Sequence, residues 1–322
     1  MTPIALALHG GCGTLPLPEL APEDWAESRR HIADALRAGW VVLARGGAAV
    51  DAVEATVVVL EDSPHFNAGR GSALNSDGEH ELDAAIMDGA TLQTGAVCAA
   101  RRIRNPVKAA RKLLDAGDTL LLTGPAADAF ARDAGLDIVA PSYFTTERRV
   151  QNLRQMKARA SAGTAAAASE AEKHGTVGAV ALDRAGNLAA ATSTGGYTNK
   201  PAGRVGDSPI IGAGTYARNG VCAVSGTGKG EYFIRYVAGH EVASLIAYRD
   251  LSLEEATRSV VFDRIGGHGI GAGMVAVDAR GNITAPFNTV GMYRGWVLPS
   301  GDLHVATHAD VEPVATLEGG GR

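Results

Sequence analysis

The decapeptide Gly178-Ala-Val-Ala-Leu-Asp183-Arg-Ala-Gly186-Asn187 returns 95 residues later as Gly273-Met-Val-Ala-Val-Asp278-Ala-Arg-Gly281-Asn282, identical at six of ten positions. Each copy sets Asp-x-x-Gly between two apolar runs. The Asp carboxylate caps such a turn and the Gly supplies its positive φ, so each copy predicts a β-hairpin. Two antiparallel hairpins, in two sheets or in two parts of one, argue against the alternating βαβ of a dinucleotide fold. A pair of such units is a repeated supersecondary element, not a solenoid.

Helical periodicity fills the interval between the copies, at Glu231–Ala247 and Leu253–Arg264. Upstream, the apolar run Ile4–His9 predicts a buried strand ending in a tight turn at Gly10-Gly11. Helices are expected over Glu23–Arg45 and Ala48–Asp62, followed by a turn-rich loop over Ser63–Gly71. Strands Glu81–Met87 and Gly95–Arg101, a helix opened by Asn105-Pro106 and running to Leu114, a strand Thr119–Leu122 and a helix Pro125–Ala134 come next. From Thr145 the chain is helical and charged. From Ala160 to Ala171 it is rich in Ala, Ser, Gly and Thr and carries no large apolar side chain to bury, which predicts a mobile linker at about 160–175. Helices around antiparallel hairpins make a layered α+β class.

Hydrophobic residues are 46% of the 322, enough for a sizeable core, and extended disorder is excluded. The net charge of −5 gives no electrostatic footprint for nucleic acid or an anionic membrane. Cys12, Cys98 and Cys222 are odd in number and widely spaced, so neither a disulfide framework nor a thiolate zinc site is expected, and a cytoplasmic protein is. The N-terminus has no basic region before its short apolar run, and no segment reaches the ~18 apolar residues of a membrane span. The 41 glycines lie inside apolar segments without a period, which suggests backbone brought close to something.

Several motifs fail. Gly226-Thr-Gly228-Lys229-Gly230 is not a P-loop, because residue 223 is Ala and no hydroxyl follows the lysine. No G-x-G-x-x-G joins a strand to a helix, and Ser225 is not in G-x-S-x-G. His304 and His308 read as a surface pair. The remaining candidates are polar residues embedded in glycine: His174-Gly-Thr-Val177, Thr192-Ser-Thr-Gly-Gly196, Gly203-Arg-Val-Gly-Asp-Ser-Pro209 and Ser225-Gly-Thr-Gly-Lys-Gly-Glu231. From spacing alone the bland readings win: Thr176 starts a strand, Arg204 and Asp207 make a local ion pair, and Ser225–Gly230 is a turn entering a helix.

The combination changes that reading. The segments are His9-Gly-Gly-Cys-Gly13, Phe66-Asn67-Ala-Gly69, Glu81-Leu-Asp83-Ala-Ala-Ile-Met87-Asp-Gly89, Arg104-Asn-Pro106, Gly175-Thr-Val-Gly-Ala-Val-Ala-Leu-Asp183, Ala191-Thr-Ser-Thr-Gly-Gly196, Gly203-Arg-Val-Gly-Asp-Ser-Pro209, Ser225-Gly-Thr-Gly228 and Pro286-Phe-Asn288-Thr. In this order, from about His9 to Trp296, the chain resembles the plant-type asparaginase / isoaspartyl peptidase family of N-terminal nucleophile hydrolases. The resemblance implies a four-layer αββα sandwich, a single domain over 1–322, cut by itself between Gly175 and Thr176 into residues 1–175 and 176–322. It also implies a heterotetramer with two copies of each piece, acting on isoaspartyl dipeptides and L-asparagine. A glycosylasparaginase is the alternative, although such enzymes carry Asp where this chain has Gly175. A non-catalytic binding protein on the same scaffold is the alternative from another class, and it would be expected to lose Thr176, Arg204 or Asp207.

A threonine hydroxyl is a poor nucleophile without a base, and an α-amine with pKa near 7.7–8 supplies one when the threonine is N-terminal. The resemblance makes Thr176 that nucleophile, with Thr194 orienting the new amine. Thr227 and Gly228 become the oxyanion donors, Asn67 steadies the surroundings, and Arg204 and Asp207 hold the substrate's α-carboxylate and α-ammonium. It further implies a structural sodium ion held by the backbone carbonyls of Leu60, Glu61, Ser63, Phe66, Ala68 and Arg70, with no cofactor for the chemistry. Cys12 departs from the family's usual small non-thiol residue, and simple packing is expected of it.

Overall fold

The computed structural model describes residues 3–13, 21–164, 175–308 and 311–317. The first strand, β1 (Ala5–Cys12), is buried on both faces. It runs through Gly10 and Gly11, where a turn was expected, and absorbs them as a bulge between His9 and Gly11. Helices α1 (Pro22–Ala44) and α2 (Ala49–Asp62) follow, then β2 (Leu82–Asp88), β3 (Thr94–Ala100), α3 (Pro106–Ala116), β4 (Leu121–Thr123), α4 (Gly124–Asp133) and α5 (Glu147–Ser161). Ala160 and Ser161 belong to the last turn of α5, and residues 165–174 of the expected linker lie outside the described residues.

The first hairpin copy joins β5 (Val177–Leu182) to β6 (Leu188–Thr194). Then come β7 (Thr215–Arg218) and β8 (Cys222–Gly228). Ser225–Gly228, expected as a turn, is strand, and only Lys229 separates it from α6 (Gly230–Tyr236). The expected single helix 231–247 is broken at Val237, which is left-handed at φ 48°, before α7 (Ala238–Arg249). The next helix, α8 (Leu253–Arg258), continues as a wider π coil over Ser259–Ile265. The second hairpin copy joins β9 (Ala272–Asp278) to β10 (Ile283–Thr284), and β11 (Met292–Val297), β12 (Asp302–Ala306) and β13 (Val311–Thr316) follow.

The two copies fall in different sheets. One sheet has the order β13-β12-β11-β1-β5-β6-β2-β3-β4 and the other β10-β9-β8-β7. Only β3 and β4 pair in parallel among the described strands. Strand alternation divides the core. On β1, Leu6 and Leu8 join Ile32, Leu36, Val53 and Val57 of α1 and α2. Ala5 and Ala7 join Ala223, Val275 and Val277 of the smaller sheet, with Val242 of α7 beyond them. The molecule is thus a mixed α+β fold in which the small side chains of β1, β5 and β6 meet the second sheet.

Candidate active site

Thr176 precedes β5 and is buried, 6% exposed. Its Oγ1 donates to Thr194 Oγ1, the last residue of β6, at 3.3 Å. Thr194 in turn donates to the Gly175 carbonyl at 3.0 Å, and Asn67 Nδ2 donates to the same oxygen at 2.8 Å. Asn67 is itself fixed, with Nδ2 on the Gly196 carbonyl at 2.6 Å and Oδ1 accepting from the Ala73 N–H at 2.6 Å. Two donors therefore polarise the carbonyl that precedes Thr176. Gly11 lies against this junction: a Cβ there would be 3.1 Å from Gly175 Cα and 3.3 Å from Thr176 N. Its φ of +110° also excludes most side chains.

Arg204 and Asp207 do not pair with each other. Arg204 donates from Nε to Glu231 at 3.0 Å, its Nη2 lies 2.9 Å from the same Oε1, and its guanidinium sits 4.8 Å over the Tyr197 ring. Asp207 is buried, and its Oδ2 has no hydrogen-bond partner among the described residues. Desolvation by burial pushes its carboxyl up to about 7, with Arg204 opposing. Below this loop Glu81 accepts the Gly203 N–H on both carboxylate oxygens, at 3.1 and 3.0 Å, and buried Lys200 donates to the Glu81 carbonyl at 3.2 Å. Glu231, Lys200 and Glu81 had no role in the sequence reading. Their partners lie 27 to 122 residues away, so no local pattern carries the signal.

Thr227 is fully buried on β8, with Gly228 at the strand's end. Cys12, expected only to pack, touches Thr227 twice. Its N–H donates to Thr227 Oγ1 at 3.3 Å and its thiol to the Thr227 carbonyl at 3.4 Å. Gly175, Thr176, Thr194, Arg204, Asp207 and Gly228 line one cavity of about 10 Å³, room for about one water. A far larger cleft of about 1110 Å³, lined by Asp250, Arg280, Trp296 and neighbours, holds none of these groups.

The loop after α2 closes on itself through the Arg70 N–H, which donates to the Glu61 carbonyl at 2.7 Å. Gly69 (φ +49°) and Gly71 (φ +91°) sit against its carbonyls. A Cβ at Gly71 would lie 2.6 Å from the Pro64 oxygen and 2.9 Å from that of Phe66. From α5, Arg148 Nη2 donates to the His65 carbonyl at 2.7 Å and Arg149 Nε to that of Gly71 at 2.5 Å. Leu60, Glu61, Ser63, Phe66 and Ala68 are buried and Arg70 is exposed.

A hydroxyl with a hydroxyl partner, a polarised amide carbonyl, and an opposed cation and carboxylate around one small cavity suit amide hydrolysis, and the fold and site together define a hydrolase. The sequence profile of the family described as asparaginase matches residues 1–307. The chain is 44% identical over 301 residues to the isoaspartyl peptidase of Salmonella typhimurium, covering 92% of this chain and 96% of that one. It is 44% identical over 296 residues to the isoaspartyl peptidase of Escherichia coli (90% and 92%). It is 40% identical over 319 residues to the isoaspartyl peptidase/L-asparaginase of Danio rerio (98% and 99%). The chain belongs to the asparaginase family.

Proposed function

We propose that this enzyme cuts itself between Gly175 and Thr176, then hydrolyses isoaspartyl (β-aspartyl) dipeptides and L-asparagine through an acyl-enzyme on Thr176. The observation that carries the reading is the small cavity flanked by Thr176, Arg204 and an Asp207 carboxylate oxygen that has no hydrogen-bond partner among the described residues. In the cut, Thr176 Oγ1 attacks the Gly175 carbonyl carbon, the peptide bond becomes an ester, and water releases residue 175 with a new carboxylate. Asn67 and Thr194 already grip the oxygen that becomes negative. Loss of Gly175 from the wall enlarges a cavity otherwise too small for a substrate.

The freed α-amine of Thr176 then takes the Oγ1 proton as the oxygen attacks the substrate's side-chain carbonyl. The Thr227 hydroxyl and the Gly228 N–H hold the oxyanion. Thr227 Oγ1 already accepts from Cys12, which leaves its proton for the substrate. Arg204, steadied by Glu231, grips the α-carboxylate. The α-ammonium supplies the countercharge that buried Asp207 lacks. Ammonia or an amino acid leaves, and water resolves the ester to aspartate.

The single domain would be a four-layer αββα sandwich, a reading supported by the apolar contacts between the two sheets and the helices on their outer faces. The carbonyls of Leu60, Glu61, Ser63, Phe66, Ala68 and Arg70 would hold a structural sodium ion. Neutral hard oxygens suit that ion, and Gly69 and Gly71 let the loop backbone pass close to the Glu61 and Phe66 carbonyls. The working unit would be a heterotetramer with two copies of each piece, in the cytoplasm. No helix among the described residues is long and apolar enough to cross a membrane. Burial pushes the thiols of Cys98 and Cys222 up to about 12, as suits inert cysteines.

Mass spectrometry and turnover of Thr176→Ala test the proposal. The variant is expected to stay one chain and to hydrolyse neither β-aspartyl-leucine nor L-asparagine. Splitting or turnover by that variant removes Thr176 from the chemistry.

A further inference from the structure

Beside the cavity, residues without a task in the mechanism above form one continuous polar chain. His9, Gly178 and Thr192 are direct neighbours across β1, β5 and β6. Thr215 and Ser225 are neighbours across β7 and β8 in the other sheet. His9 Nε2 lies 2.9 Å from Ser225 Oγ, Ser225 Oγ 2.7 Å from Thr192 Oγ1, and Thr192 Oγ1 2.7 Å from Thr215 Oγ1. The chain crosses from sheet to sheet at every step. The other ring nitrogen, His9 Nδ1, lies 3.0 Å from the carbonyl oxygen of Thr176. All four polar side chains are fully buried. Gly178 makes the room: a Cβ there would collide with Ser225 Oγ and lie 2.8 Å from His9 Nε2.

The carbonyl end fixes the ring's proton. A carbonyl only accepts, so Nδ1 carries the ring's hydrogen. Burial holds the ring well below the ordinary histidine range, at about 3, so it is neutral and Nε2 is an acceptor. Ser225 therefore donates to His9 and accepts from Thr192, while Thr215 Oγ1 lies within reach of both Thr192 Oγ1, at 2.7 Å, and the Ser208 carbonyl, at 2.9 Å.

We propose that His9, set by Ser225 and Thr192, is a positioning residue that fixes the carbonyl, and hence the orientation, of Thr176. The proposal rests on the reading of Thr176 as nucleophile. Before the cut Thr176 is tethered on both sides, and Asn67 and Thr194 hold Gly175. After it, Thr176 is bonded to Val177 alone, and the His9 bond restrains its peptide plane. The strut also holds the start of β5, which Thr176 immediately precedes, against β8, which carries Thr227. Turnover therefore depends on it more than self-cleavage does. It governs kcat more than KM, because Arg204 and Asp207 bind substrate without it.

Two substitutions at one position separate positioning from bulk. Asn at position 9 puts an amide N–H where Nδ1 stands; Gln puts its amide near Nε2. His9→Gln is expected to process fully and to lose about 10- to 100-fold in kcat for β-aspartyl-leucine, with KM little changed. His9→Asn is expected to restore most of that loss. Equal impairment of both, with processing reduced in step, would mean that the histidine only fills space. On the unaltered enzyme, ¹⁵N spectra of labelled histidine should show a neutral ring protonated on Nδ1 from pH 5 to 8; its absence overturns the proposal even if the variants do not fold. Thr176→Ala assayed alongside keeps the two readings apart. An active Thr176→Ala sinks the nucleophile, whereas an inactive one beside a His9→Gln that turns over normally sinks only the strut.

Discussion

Asp207 is a carboxylate whose burial opposes its charge, and that conflict has a measurable sign. Its folded value of about 7 lies above the ~3.9 of an unfolded aspartate. Below about pH 4 both states are protonated and the group is neutral to stability; between about 4 and 7 only the folded state keeps the proton. Stability therefore falls as pH rises through that window and stays low above it. Asp207→Asn removes the charge. It is expected to gain on the unaltered protein by up to a few kcal/mol between pH 4.5 and pH 8 while losing hydrolysis. Paired melting curves at the two pH values check this, and a pH-independent difference in Tm would show that the carboxylate is not held against its charge. The sequence placed Asp207 and Arg204 at the site through their motif. It left open that they are separate, with Arg204 leaning on Glu231, because three residues of spacing equally permits an ion pair.

At the scale of elements, periodicity served the outer helices well. Helices α1 and α2 bury one stripe each, and their bounds match expectation within two residues. Two elements were illegible for tertiary reasons. The second half of β8 reads Ser-Gly-Thr-Gly, with no apolar alternation, yet it is strand because β9 pairs along its whole length, β7 reaches Ser225, and the Ser225 hydroxyl is satisfied across the sheets. The break falls on Val237 itself, a β-branched residue, and not on Gly239 two residues on. There the N–H groups of Gly239 and His240 donate to the carbonyls of Ala213 and Gly212, so a distant loop supplies the start of α7. The hairpin turns were legible in full: Gly186 and Gly281 have φ of 85° and 84°, and each Asp accepts two turn N–H groups. The copies nevertheless differ in weight. Asp183 Oδ2 also accepts the Ala49 N–H at 3.0 Å, capping α2, whose own sequence gives it no side-chain cap. Asp183→Ala should cost about 2–4 kcal/mol against about 1 for Asp278→Ala in urea unfolding. Equal costs would deny Asp183 its second role.

At the scale of the whole molecule, the site predicts what is refused. In the proposed mechanism the substrate is held by its two α charges and attacked at its side-chain carbonyl, so an amide NH₂ or an entire amino acid would be accepted as leaving group. An α-linked aspartyl peptide has no free α-carboxylate to offer Arg204, which would keep Glu231 alone and set an amide where the carboxylate belongs. β-Aspartyl-leucine is expected to be hydrolysed at least ~100-fold faster than α-aspartyl-leucine at equal concentration. Comparable rates would show that Arg204 and Asp207 do not read those groups.

Gly175 forms part of the wall of its own enzyme's cavity, and the proposed cut would make this a clock. The obstruction and the group proposed to remove it belong to one chain, so the removal would be unimolecular. Freshly folded molecules would be silent, and each would awaken once, at a time set by its own geometry and not by how many neighbours it has. A dilute solution and a concentrated one should ripen with the same half-life, and no later change of conditions can return a ripened molecule to silence.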